Sequence, residues 1–400
     1  MMNTRNLTSR EKANYEVVKA TGLPAALLFV TATGLQKSIM DATLPIRTLL
    51  AEAGVHDYGS QGQGPSNKRV VAGKILADDR IENVDVSLYR PITKNGDPRL
   101  WPRNFSHHAD PDDACAVFIA RGCICILDLT RSSIAEDEHA GSSTAPLKFL
   151  ALNRKKKSPA AIELLNHIRA LADKGPLKAV GYGDTSIGRT IETALGIRIN
   201  SSQQPDYKGI ELKSKRWIAG HQSTRYTLFA CVPDWLLSPC KSSAEILAEY
   251  GYPSGSVFKL YCTVSATKRN SQGLQFRIDS NIGRLVEYAW RRSPTKQDVV
   301  VWELGRLHRY FGAKHRETFW IHASPVSMGG MRAFKLNEII HTRGPSYPQF
   351  DQFLEDGVIT MDHLIKRTGT RVVEKGPLFK VMPNRLVELF LGVPEIYRLG

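Results

Sequence analysis

Four hundred residues at 44.5 kDa exceed one ordinary domain and imply two or three. With 42% hydrophobic and 23% charged residues the chain can bury a sizeable core, which excludes wholesale disorder. Its longest apolar run, near Pro24 to Leu35, falls short of the ~20 residues of a membrane-spanning helix. The N-terminus lacks the layout of a secretory signal, and the six cysteines make neither a disulfide framework nor a CxxC pair. A cytoplasmic protein is expected.

In chain order, Thr8-Ser9-Arg10-Glu11 is a capping-box pattern ahead of a helix running towards Thr21, and helical spacing returns between about Leu35 and Ala53. GSQGQGPSNKR (Gly59 to Arg69) reads as a flexible loop. Its glycines ahead of a basic pair suggest a phosphate cradle, but the GxxxxGK[ST] spacing is absent. The runs ACAVFIA and CICILDL, split by Arg121-Gly122, predict a hairpin or neighbouring strands, with Cys123 and Cys125 buried. His107 and His108 precede them and read as surface histidines, because no second cluster of metal ligands accompanies them. Residues 1–150 therefore form a separate mixed α+β domain. A linker begins at about residue 132 in an acidic, Gly/Ser-rich stretch and ends in Arg154-Lys155-Lys156-Lys157.

Charge divides the chain at the same place. The whole contains 54 Lys+Arg against 39 Asp+Glu, a net +15, yet residues 1–150 contain 17 basic and 17 acidic side chains. Residues 151–400 carry the entire excess, which favours a polyanionic partner. There Ser158-Pro159 opens a helix with apolar residues at Ile162, Leu165, Ile168 and Leu171. Gly181 to Arg216 reads as loop, helix, loop, strand. Strand-like runs follow at SVFKLYCTVSA, LQFRID, VVVWEL and TFWIHASPV, with helices near Leu304 to Phe311 and Tyr347 to Asp356. A last strand at Leu378 to Met382 precedes a closing helix from Asn384.

The segment PDYKGIELK carries the candidate chemistry. On a strand from Ile210 to Lys213, Glu211 and Lys213 share one face at its exposed end, while Ile210 and Leu212 point into the core. Asp206, in the turn leading in, can approach the same site, and so can Glu192 from the preceding helix. Two carboxylates can hold Mg²⁺, and an ammonium can stabilise a phosphorane or orient water; these are the parts that phosphodiester hydrolysis needs. The same spacing also fits a turn aspartate followed by a surface Glu–Lys pair.

SIGRTIETALG followed by PDYKGIELKSKR, with FLEDGVITMDHLI and EKGPLFKV later in the same order, resembles the MvaI/BcnI family of restriction endonucleases. That family is related to the mismatch-repair nickase MutH, and the resemblance covers about residues 158–390. It implies a PD-(D/E)xK fold, MutH-like, in which helices flank a central mixed β-sheet, so that the chain combines α+β and α/β character. By position it implies that Asp206 and Glu211 bind Mg²⁺, that Lys213 is the catalytic lysine and that Glu192 is an accessory carboxylate. It further implies that Arg371 to Lys380 enters a DNA groove, where Arg371 and Lys375 would donate to guanine and Glu374 would accept from cytosine. An ordinary charged loop is the alternative for these three. Arg225, Lys268 and Arg269 are candidate phosphate contacts, and His221 a lesser candidate for DNA or the site. A departure is VVEKGPLF, where family members carry histidine around the glycine.

The expected activity is therefore a sequence-specific, Mg²⁺-dependent type II endonuclease acting in phage defence as a monomer. It would cut double-stranded DNA to 5′-phosphate and 3′-hydroxyl ends, with a possible cognate methyltransferase protecting the same site. Residues 1–150 would assist recognition or regulation. A MutH-like nickase and a non-catalytic DNA-binding regulator are the alternatives.

Overall fold

The structure, a computed structural model, describes residues 5–93, 96–183, 185–197, 205–217, 224–279, 282–290 and 296–399. They fall into two compact units, one of residues 1–156 with short segments at 346–348 and 391–393, the other of the remainder.

The first unit is built in the order α1 (Ser9–Lys19), β1 (Ala25–Phe29), α2 (Ala32–Lys37), β2 (Met40–Asp41), α3 (Leu44–Glu52), β3 (Arg69–Leu76), β4 (Ile81–Tyr89), β5 (Arg99–Pro102), β6 (Ala114–Ala120), β7 (Cys123–Asp128), α4 (Ile134–His139) and α5 (Ala145–Asn153). The capping box forms as expected, with Thr8 Oγ1 accepting from Glu11 N and Glu11 accepting from Thr8 N. The helical spacing expected between about Leu35 and Ala53 is divided among α2, β2 and α3, because Ser38 adopts a left-handed conformation (φ 54°) that stops the first helix. β6 and β7 make the expected hairpin, turned by Arg121 (φ 50°) and Gly122 (φ 77°). Every residue of β6 is buried, so the strand is packed on both faces. The seven strands run β1-β6-β7-β3-β4-β5-β2, with β3 and β7 parallel. The stretch from residue 132 is not an open linker. It forms α4 and α5, whose Ile134 and Leu150 are buried in this unit's core, so the unit extends to Lys156.

The second unit continues with α6 (Pro159–Asp173), β8 (Leu177–Lys178), α7 (Ser186–Ala194), β9 (Glu211–Arg216), β10 (Tyr226–Ala230), α8 (Ser243–Tyr250), β11 (Tyr252–Ser254), β12 (Val257–Val264), β13 (Leu274–Asp279), β14 (Arg284–Trp290), β15 (Lys296–Glu303), α9 (Leu304–His315), β16 (Glu317–Met328), β17 (Met331–Pro345), α10 (Tyr347–Glu355), β18 (Ile359–Thr368), β19 (Arg371–Glu374), β20 (Leu378–Val381) and β21 (Phe390–Arg398). Ser158 caps α6 through Ala161 N, and Ala161, Leu164, Leu165 and Ile168 face the core. Ile162, expected inward, is 51% exposed, because it lies a quarter-turn off that stripe. One sheet runs β21-β17-β16-β9, with β9 parallel to β16. A second runs β10-β20-β18-β12-β11, and β13-β14-β15 form a third. The expected closing helix from Asn384 is only a short 3₁₀ segment, Pro383–Leu389. The chain then enters β21, where Gly392 and Pro394 suit an edge strand better than a helix.

Candidate active site

A tight turn places the first carboxylate. Lys208 (φ 45°) and Gly209 (φ 88°) reverse the chain, and Tyr207 and Ile210 exchange both backbone hydrogen bonds across the turn. Tyr207 Oη and Lys208 Nζ both donate to Glu163 on α6, tying the turn to that helix. The reversal brings Asp206 back beside the start of β9, where its Oδ2 accepts from Leu212 N at 2.8 Å.

β9 then alternates as expected. Ile210 and Leu212 enter the core among Ile187, Ile191, Phe319 and Ile321, while Glu211 and Lys213 lie on the opposite face. The site differs from expectation in burial. Glu211 is 1% exposed rather than at an open strand end, so its charge requires partners. Lys213 Nζ lies 2.5 Å from Oε1, and Lys314 Nζ, from the last turn of α9, lies 3.3 Å from Oε2. Lys314 was not identified from the sequence. A lysine ending a helix is normally read as complementing the helix dipole, and the contact spans 103 residues.

Glu192 arrives on α7, whose Ile187 and Ile191 are buried against β9. Burial and the nearby charges of Asp206 and Glu211 push its carboxyl up, against the opposing pull of Lys213 and Arg189. Gly188 lets this helix lie close: a Cβ there would stand 3.3 Å from Ser214 Oγ and 3.8 Å from Glu192 Oε1. The four expected catalytic residues are thus assembled in one place by α7, the turn and β9.

Behind them His315 is fully buried and stacks on Trp320 with ring centroids 5.2 Å apart. Burial and the neighbouring Lys213 push it down to about 3, so it is neutral. Its Nε2–H donates to Leu228 O and its Nδ1 accepts from Thr318 Oγ1.

Asp206, Glu211 and Glu192 supply hard oxygen donors of the kind Mg²⁺ prefers, and Mg²⁺ needs only one or two of them when waters and phosphate complete its shell. Among the described residues no group of three His, Cys, Asp or Glu forms a metal cage by itself.

The candidate DNA contacts separate into two kinds. Arg371, Lys375, Lys268 and Arg269 are exposed. Arg225 is held inside the unit, donating to Thr360, Thr263 and Asp362, and Glu374 accepts from Ser243 at the start of α8. To engage a base or phosphate, these two must share or exchange those partners. His221 lies outside the described residues.

The profile of the MvaI/BcnI restriction endonuclease family matches residues 165–390, a span that contains the whole constellation. The chain belongs to that family. Family membership makes it one of the restriction endonucleases and hence of the DNA hydrolases. The solved complex of restriction endonuclease MvaI with its cognate DNA substrate is similar, at 19% identity and a TM-score of 0.52; the match covers 61% of this chain and 99% of that one. The structure of MvaI in the absence of DNA matches at 18% identity and a TM-score of 0.40, covering 60% and 99%. The first of these likenesses concerns the fold, a mixed α+β architecture. No curated protein matches the chain. No helix of the described residues is long and apolar enough to cross a membrane.

Proposed function

We propose that this protein is a sequence-specific type II restriction endonuclease that hydrolyses double-stranded DNA with Mg²⁺, on a PD-(D/E)xK core of the MutH-like kind. The observation that carries the reading is the convergence of Asp206, Glu211, Lys213 and Glu192 within the family-matched span. The +15 charge of residues 151–400 suits a polyanion.

Asp206 and Glu211 would hold the Mg²⁺. When bound, the ion lowers the pKa of a water and spreads charge from the phosphate. Lys213 Nζ, beside Glu211 at the edge of the site, would donate to a non-bridging oxygen of the scissile phosphate as charge develops there. Lys314 pairs with Glu211 Oε2 and fixes its rotamer. Glu192, with its raised affinity for protons, is suited to accept one from the attacking water. The products would carry 5′-phosphate and 3′-hydroxyl ends.

The exposed Arg371, Lys375, Lys268 and Arg269 are the favoured DNA contacts, the first two for bases. Residues 1–156 would serve recognition or regulation. The reading also includes action as a monomer in phage defence, in the cytoplasm, and protection of host DNA by a cognate methyltransferase.

Incubating purified protein with unmethylated phage DNA in Mg²⁺ or EDTA, beside Lys213→Ala, tests the proposal. Discrete, Mg²⁺-dependent fragments from the wild type alone are expected. Nicks without double-strand breaks would favour a MutH-like nickase, and selective binding without cleavage would favour a non-catalytic regulator.

A further inference from the structure

Beyond Lys213 the same face of β9 carries Lys215, two residues and about 7 Å further along the strand. Its ammonium donates to Thr224 O and to Arg225 O at 2.9 Å, and lies over the Tyr226 ring, 4.4 Å from the centroid. Next to it, Arg225 Nη2 and Lys380 Nζ reach the same carboxylate, Asp362, at 2.9 and 2.8 Å. Thr263 Oγ1 donates to Asp362 at 2.7 Å, and Thr360 accepts from Arg225. Two cations therefore share one anion, with Lys215 as a third positive charge beside them, and Arg225 and Lys380 are only 26% and 20% exposed.

Burial lowers Lys215 to about 8, and the like charges of Lys380 and Arg225 add their repulsion to it. A folded protein gains nothing from that repulsion by itself. An incoming anion would relieve it. On β9 the step from Lys213 to Lys215 is comparable to the step from one phosphate to the next along a nucleic-acid strand.

We propose that Lys215, Arg225 and Lys380 form a seat for a single backbone phosphate neighbouring the scissile one, anchoring the DNA strand that Lys213 faces. The seat rests on the reading of this unit as a DNA endonuclease, and adds to it a binding site that sets where the strand lies. Asp362 fixes Arg225 and Lys380 and tempers their charge, so that the seat does not trap small anions permanently.

The test uses full-length protein in EDTA with duplexes carrying the recognition sequence, in which one phosphate at a time is replaced by a neutral methylphosphonate. For the wild type, one replacement next to the cut should weaken binding about tenfold. In Lys215→Met and Lys380→Met that replacement should cost nothing further, and the slope of log affinity against log salt should fall by about one. Asp362→Asn, which makes the seat more cationic, should bind more tightly at low salt and show a steeper slope. A network serving only to join strands would instead leave affinity unchanged or lower it together with the melting temperature. Wild-type affinity and slope in both lysine variants, with no tighter binding by Asp362→Asn, would overturn the seat while leaving the endonuclease intact. Absence of any DNA binding by the wild type would overturn both.

Discussion

Lys314 Nζ stands 3.3 Å from Glu211 Oε2, so the buried carboxylate is held between two ammonium groups, one from its own strand and one from the end of α9. A single lysine would leave one oxygen of a fully buried anion without a charged partner. The second makes the site's electrostatics a property of two distant segments.

Lys314→Met should therefore lower kcat by about 10²-fold while leaving DNA affinity within a few-fold, because Lys314 positions Glu211 for the chemical step and is not itself placed on the DNA. Single-turnover cleavage and gel-shift binding check it. Lys213→Ala should lose more, since Lys213 is the group placed to reach substrate. Equal kcat in wild type and Lys314→Met would remove Lys314 from the site.

Acid should weaken the second unit through His315. Its folded pKa of about 3 lies below the usual imidazole value near 6.5, so between these values the unfolded chain binds more protons than the folded one. The neutral ring's contribution is complete above pH 6.5 and drains away as pH falls towards 3. In His315→Gln, which can keep the hydrogen bonds to Leu228 and Thr318, the melting temperature should fall less steeply over that window.

The opposite slope is expected in the first unit. Burial and Asp113 push Asp128 up to about 7, so the folded form holds a proton that the unfolded carboxylate has already released. This contribution is whole below about pH 4 and is lost as pH rises through 7. Asp128→Asn should raise the stability of this unit at pH 8 relative to wild type and flatten its pH dependence, measured by hydrogen exchange across β6 and β7.

His363 and Glu287 form a fully buried pair, Nε2 lying 3.0 Å from Oε2, which joins β18 to the three-stranded sheet through β14. Removing one partner leaves the other charge in the core, so His363→Leu should cost about 3–5 kcal/mol in denaturant unfolding. The double variant His363→Leu with Glu287→Leu should recover part of that loss. A cost under ~1 kcal/mol in the single variant would show that the pair is not charged in the folded protein.

Local patterns read well wherever one short stretch decides its own conformation. The capping box at Thr8, the Ser158 cap, the β6–β7 hairpin and the alternation of Ile210, Glu211, Leu212 and Lys213 all appear as the residues alone suggest. Errors arose where a local preference was overruled by packing. The acidic, Gly/Ser-rich stretch after residue 132 became α4 and α5 because Ile134 and Leu150 find a core to enter, and the segment from Asn384 extended into β21 beside β17.

From the amino-acid order alone come the charge division, the candidate quartet, and a turn at Asp206 leading into the strand, because each depends on neighbours in the chain. Only the tertiary structure decided that Glu211 is buried, that Lys314 reaches it, and that Arg225 is already engaged by Asp362. Those facts depend on which distant strand or helix packs alongside, and no periodicity in one segment specifies the side chain that another will bring to meet it.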